Sequence, residues 1–169
     1  MVIKTIFISL FTLAPMIAVF QQVRDRPLPE ELSESESHSI MKEEKPKARV
    51  DATLKISDDR IDSAFKLVQE RHFDAAAQDM DVYAALIRYA DDYTRRLPDS
   101  QIKDRNNCLK KIEQAIFKQT RTLDMIVREI SQDYRETTER EINDVKKIRL
   151  RAINDLLGGG KMINSSNDR

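Results

Sequence analysis

The feature that most restricts this chain is where its glycines and prolines are absent. None occurs from Arg49 to Leu97 and none from Asp99 to Leu157, with Pro98 alone between the two stretches. Sandwiches and barrels need turn signals roughly every ten residues, whereas a helix interior excludes proline and disfavours glycine. Two such stretches predict long helices and an all-α fold.

Hydropathy spacing supports that reading. Ile61, Phe65, Val68, His72, Ala76, Met80, Tyr83, Leu86 or Ile87, Ala90, Tyr93 and Leu97 recur at steps of three and four, the period of one helix face. That stripe predicts one long helix, kinked near Arg71-His72-Phe73, with Ser57 and Asp58 as candidate N-caps. Pro98 disfavours helical geometry at Leu97, so Leu97-Pro98-Asp99-Ser100 is read as a turn. Leu109, Ile112, Ile116, Gln119, Leu123, Ile126 and Ile130 then form a heptad pattern with one polar intruder, Gln119. A break at Ser131-Gln132-Asp133 starts a last helix that turns Tyr134, Ile142, Val145, Ile148, Ala152, Ile153 and Leu156 inward. Asp124 with Arg128, and Glu136 with Arg140, are acid-before-base pairs one turn apart. Gly158-Gly159-Gly160 ends the helix. Amphipathic helices must bury their stripes on one another, so the expected architecture is an antiparallel helical hairpin or a three- to four-helix bundle after a disordered linker.

Lys plus Arg and Asp plus Glu each number 29, so no global field draws in nucleic acid or an anionic membrane. The halves differ: 51–97 carries about three more acids than bases and 99–157 about two more bases than acids, a complementary pairing.

The N-terminus has a separate character. Lys4 is followed by an uncharged apolar run from Thr5 to Phe20, the layout of a secretory signal and close to the ~20 residues of a membrane span. The region Ala18-Val19-Phe20-Gln21 lacks a clean small-residue cleavage pair, and no cysteine follows to carry a lipid. We read 1–22 as a signal peptide or membrane anchor; a buried helix of a soluble domain is the bland alternative. The stretch 23–50, with Pro27, Pro29 and Pro46 around alternating acids and serines, is expected to be a disordered linker. The helical domain is placed at 51–158 and a flexible tail at 159–169, where Asn164-Ser165-Ser166 matches a glycosylation sequon of low specificity. The expected location is periplasmic or secreted, with anchoring to the inner membrane through the N-terminal segment as the variant.

The catalytic inventory is thin. No phosphate-binding loop or nucleophile elbow is present, since the one glycine cluster ends the fold. Cys108 is the lone cysteine; it makes no intramolecular disulfide and is expected to be buried as a small hydrophobe. His72, near Glu70, Asp74 and Asp79, is the one metal-ligand candidate of the helical part, set against its reading as a boundary residue. Neither it nor His38 follows a glutamate by three positions, as a ferritin-type carboxylate site requires. Tyr83, Tyr89, Tyr93 and Tyr134 are read as bundle-rim tyrosines rather than a ligand platform. No catalytic, cofactor-binding or metal residue is assigned, no cofactor is expected, and the chain is read as non-enzymatic. The partners expected are another protein or a second copy through the helical faces, with no nucleic acid, and the membrane only through the N-terminal segment. A metal- or small-ligand-binding bundle is the alternative.

Two resemblances go with this. Phe73-Asp-Ala-Ala76 through Tyr83 is similar to the second helix of a tetratricopeptide repeat, but it does not recur, and an array needs several copies. Val82-Tyr-Ala-Ala-Leu-Ile-Arg-Tyr-Ala90, Leu109-Lys-Lys-Ile-Glu-Gln114, and Val145-Lys-Lys-Ile-Arg149 with Ala152 and Leu156 resemble uncharacterised exported helical proteins of Acidobacteria. That resemblance implies an exported helical fold and no activity.

Overall fold

The computed structural model describes residues 27–158. Within them lie five α-helices: α1 Glu34–Met41, α2 Pro46–Gln69, α3 Phe73–Arg95, α4 Ile102–Glu129 and α5 Gln132–Leu156. A 3-10 turn, Asp99–Gln101, follows Pro98 and leads into α4. The fold is all-α, as the missing glycines and prolines require. The apolar run 5–20 and the tail 159–169 lie outside the described residues.

The contacts between helices give their directions. Lys111 donates to Asp51 and Gln119 to Asp58, separations of 60 and 61 residues. A constant separation means that α2 and α4 run parallel. Arg95 with Asp155 and Arg151 with Asp91 are each 60 residues apart, so α3 and α5 are parallel too. Across α4 and α5 the separation falls from 36 for Arg149–Glu113 to 22 for Lys146–Asp124, which marks an antiparallel hairpin closing at Ser131. Two hairpins, α2/α3 and α4/α5, therefore lie side by side in register. Residues 96–101 cross the bundle, so that α3 meets α4 on the diagonal.

The heptad stripe of α4 is buried throughout, Gln119 included. It meets Val50, Leu54, Ile61, Ala64 and Val68 of α2, Met80, Tyr83, Ile87 and Ala90 of α3, and Ile142, Val145 and Ile148 of α5. Packing of this kind supplies most of the stability of such helices.

Several sequence expectations need correction. The long first helix is two helices, not one kinked helix: the chain reverses at Arg71, which takes φ 64° without glycine or proline. The His72 amide bonds the Leu67 carbonyl at 2.8 Å and closes the turn. Ser57 and Asp58 are not caps, because α2 begins at Pro46, where a missing N–H costs nothing in the first turn. Ser57 is buried instead and donates to the Leu54 carbonyl at 2.7 Å. Tyr83 and Tyr89 are core residues rather than rim residues, while Tyr93 and Tyr134 are half-buried at the cluster edge. Asp124 turns to Lys146 of α5 rather than along its own helix.

The largest correction concerns the expected linker. Its residues 34–41 form α1, and Leu28, Leu32 and Ile40 pack on Ala52 and Ile56 of α2 and on Val82, Leu86 and Tyr89 of α3. α3 thus carries apolar side chains on two sides and is buried on both, as such a helix must be. Ser33 caps α1 through a reciprocal capping box with Glu36. Glu36 also accepts from Arg60 at 2.9 Å, and Arg60 holds Asp79 at 2.9 Å. Burial opposes the charge on Glu36, but the Ser33 backbone and hydroxyl and the Arg60 guanidinium outweigh it, so its carboxyl titrates below the ordinary value. Polar composition alone did not predict order here because the apolar partner surface is on other helices.

Candidate functional site

One end of the bundle is open. The α2 N-terminus, the α3 C-terminus, the 96–101 crossing, the α4 N-terminus and the α5 C-terminus meet there. Between α4 and α5 a cavity of about 500 Å³ is lined by Ile102, Leu109, Leu156 and Gly158, with Arg95, Arg105, Asn106 and Asp155 at its edge. Ile102 is 55% exposed and Leu157 75%. Ile102 and Leu156 both line the cavity because α4 begins before its inward stripe does, and α5 carries leucines past its last core residue, Ala152. Gly158, at φ +75°, turns the chain out of α5.

Charge at this end is matched within the fold. Asp91 is 1% exposed and is held by Arg95 at 2.9 Å and by Arg151 at 3.0 Å. Arg95 reaches Asp155 at 2.6 Å, and Arg105 reaches Asp99 at 3.0 Å. Burial works against the Arg95 charge, yet Asp91 and Asp155 outweigh it and hold its pKa above the ordinary value. A buried carboxylate shared by two guanidiniums joins α3 to α5.

Deeper in the bundle a polar triad crosses three helices. The Tyr83 hydroxyl donates to Gln119 Oε1 at 2.8 Å, and Gln119 Nε2 donates to Asp58. Burial, then the nearby Asp58 carboxylate, pushes the Tyr83 pKa up. The phenol therefore stays protonated and serves as a donor. The polar intruder of the heptad is a pin that fixes the register of α2, α3 and α4.

The metal-ligand candidates do not converge. His72 and Asp74 lie at the α2/α3 turn beside Ser131, Asp133 and Tyr134, whereas Asp79 is turned to Arg60. Among the described residues, no three His, Cys, Asp or Glu side chains are grouped to hold a metal ion. Cys108 is buried as expected. Desolvation, then Asp104 and Asp51, raises its thiol to about 11, with the Thr94 hydroxyl beside it. Among the described residues, no helix is long and apolar enough to cross a membrane.

Sequence reasoning did not single out the open end. A signal was present, since Ile102 and Leu157 are apolar residues off the inward stripes and more than half exposed, and Leu156, expected to turn inward, is instead 37% exposed. No protein-family model, curated protein or solved structure matches this chain.

Proposed function

We propose that this chain is an exported, non-enzymatic helical module of the cell envelope that binds another protein at the open end of its bundle. The observation that carries the reading is the cavity at this end that exposed Ile102 and Leu156 line over buried Leu109. Exposed apolar patches rimmed by polar residues mark contacts with other proteins, membranes or ligands. The charged groups around the cavity are already paired with one another, so they orient a partner rather than react with it. Export is supported by Lys4 and the uncharged run Thr5–Phe20.

A photo-crosslinking residue at Ile102 of the full chain, in intact cells, tests the contact. The expected result is a discrete adduct at Ile102 that is missing when the crosslinker sits at exposed Lys147 and is lost on Leu156→Asp. Equal labelling at both positions, or none at either, overturns the reading. Intact mass of the protein in each cell fraction tests export separately: a shortened species outside the cytoplasm, or a full-length species in the membrane, supports it, and a full-length cytosolic species refutes it.

A further inference from the structure

Successive residues of an α-helix turn by about 100°, and on that basis the outward face of α4 is predominantly basic. Lys103, Lys110, Phe117, Arg121 and Arg128 lie at steps of seven, seven, four and seven along its solvent side, with Lys118 next to them. All six are exposed, Phe117 by 61%. The five bases are without an ion pair among the described residues. The carboxylates bordering the face toward α5 are Glu113 and Asp124, and they are neutralised by Arg149 and Lys146. Half-buried Asp104 lies toward α2, and exposed Glu129, about 20° around the helix from Lys118, is an acid at the edge of the face. With the paired Glu113 and Asp124 set aside, the face stays basic by five to one. Arg149, paired with Glu113, also lays its guanidinium 4.7 Å over the Phe117 ring. The chain is neutral overall, so this face is a local concentration of charge.

We propose that the outer face of α4 is a docking surface for a bilayer of anionic phospholipid. Three observations favour a bilayer over a polyanion or an acidic protein. The face is one helix wide and runs about 38 Å from Lys103 to Arg128, with an open depression around Phe117, Arg121, Asp124 and Arg128, so its cations are set out along a line rather than around a deep groove. Lipid headgroups diffuse to meet fixed cations, and cationic side chains near an anionic surface each strengthen binding about fivefold. An aromatic ring standing at the crest of a basic face, with Met125 beside it, suits the boundary between headgroups and acyl chains. Retained as an anchor rather than cleaved, the apolar run Thr5–Phe20 supplies a second attachment, and stable anchoring takes two weak signals. The inference rests on the export reading only for that second attachment.

The sequence contains no tryptophan, so Phe117→Trp in the full chain places a single indole fluorophore at the crest. The variant is compared in vesicles containing phosphatidylglycerol and in vesicles of phosphatidylcholine alone. The expected result is a blue-shifted indole emission that brominated lipid quenches, in the anionic vesicles only. The shift is reversed at about 1 M salt, where the Debye length is about 3 Å. Replacing Lys110, Arg121 and Arg128 by Gln weakens it about a hundredfold, with the far-ultraviolet circular dichroism unchanged because all three are exposed. Emission of a water-exposed indole in anionic vesicles overturns the proposal. So does an equal shift in neutral vesicles, a shift that survives charge removal, or a shift produced by soluble polyanions and not by vesicles. Vesicles read the α4 face whatever compartment holds the protein, so failure here is distinguishable from failure of the export or crosslinking experiments.

Discussion

The two hairpins differ in how many of their faces are covered. The α2/α3 hairpin is buried on both sides, by α4/α5 on one and by the 28–41 strap on the other. The α4/α5 hairpin is buried on one side, and its remaining surface carries Ile102, Phe117, Leu150 and Leu157 in the open. One hairpin is the structural centre of the protein and the other is its outward-facing surface. The difference shows where unused apolar surface lies: on the hairpin whose apolar residues exceed what its own core uses.

A matched pair of substitutions gives the largest expected contrast. Leu86 is fully buried under the strap, so Leu86→Ala is expected to cost about 2–5 kcal/mol by lost transfer and a residual cavity. Leu150, 60% exposed on α5, is expected to change stability by less than about 0.5 kcal/mol on the same replacement. Denaturant melts of both variants decide it. Similar costs would mean that the α4/α5 surface is covered by something else in solution, a second copy first among the candidates.

The polar triad comes next. Tyr83→Phe leaves Gln119 Oε1 buried without its donor, at about 1–3 kcal/mol. Gln119→Leu strands the Tyr83 hydroxyl and the Asp58 contact at a similar cost. The double variant is expected to lose less than the sum, since one network is removed by either change. Additive losses in a double-mutant cycle would separate the two groups energetically and end the description of Gln119 as a shared pin.

Much of the inner fold was legible in the sequence for the same reason that these substitutions are costly. The stripes of α4 and α5 recur at steps of three and four with one polar member each, Gln119 and Thr138. Pro98 and Ser131 mark their boundaries, and Gln119 stood out in the heptad because it breaks an apolar series. The strap and the α2/α3 turn were not legible. Arg71 adopts a left-handed conformation with no glycine to announce it, and the inward stripe continues in phase across the break. The strap has an ordinary disordered composition, and its order comes from contact with Val82, Leu86 and Tyr89 about fifty residues away. Two local signals were nonetheless present: Ser33-x-x-Glu36, a capping box, and Pro46 at a helix start. The stripe of α3 admits either Leu86 or Ile87 as its inward residue, and both are buried, on different sides of the helix. The open end escaped notice because its apolar residues come from two helix ends that meet only in three dimensions.

A smaller effect tests whether the strap is a separable layer. Ser33→Ala removes the α1 cap at about 1 kcal/mol, and amide exchange is expected to accelerate in 34–41 while α3 and α4 stay protected. Glu36 adds a pH dependence whose sign is fixed. Its folded pKa is depressed, so the Arg60 contact contributes fully above the ordinary value of 4.5 and is lost as pH falls through the lower folded value. Acidification is therefore expected to loosen 34–41 before the bundle melts, and Glu36→Gln removes that step. Simultaneous loss of protection in α1 and α4 would make the strap part of one cooperative unit with the core.

The weakest effect at neutral pH belongs to Cys108, on the inner face of α4. Its folded pKa is raised from 9.0 to about 11, so the neutral thiol supports the fold fully below pH 9, and that contribution is lost as pH rises toward 11. Wild type is expected to lose melting temperature across this window faster than Cys108→Ala, with Tyr83 common to both. A thiol reagent at neutral pH is expected to label Cys108 only at the rate of unfolding. Rapid labelling of the folded protein, or parallel pH profiles for the two proteins, would show that the first turns of α4 open to solvent. Ile102 and Leu109 belong to that same part of α4. Such fraying would turn the cavity at the open end from a fixed surface into one that forms only when a partner is bound.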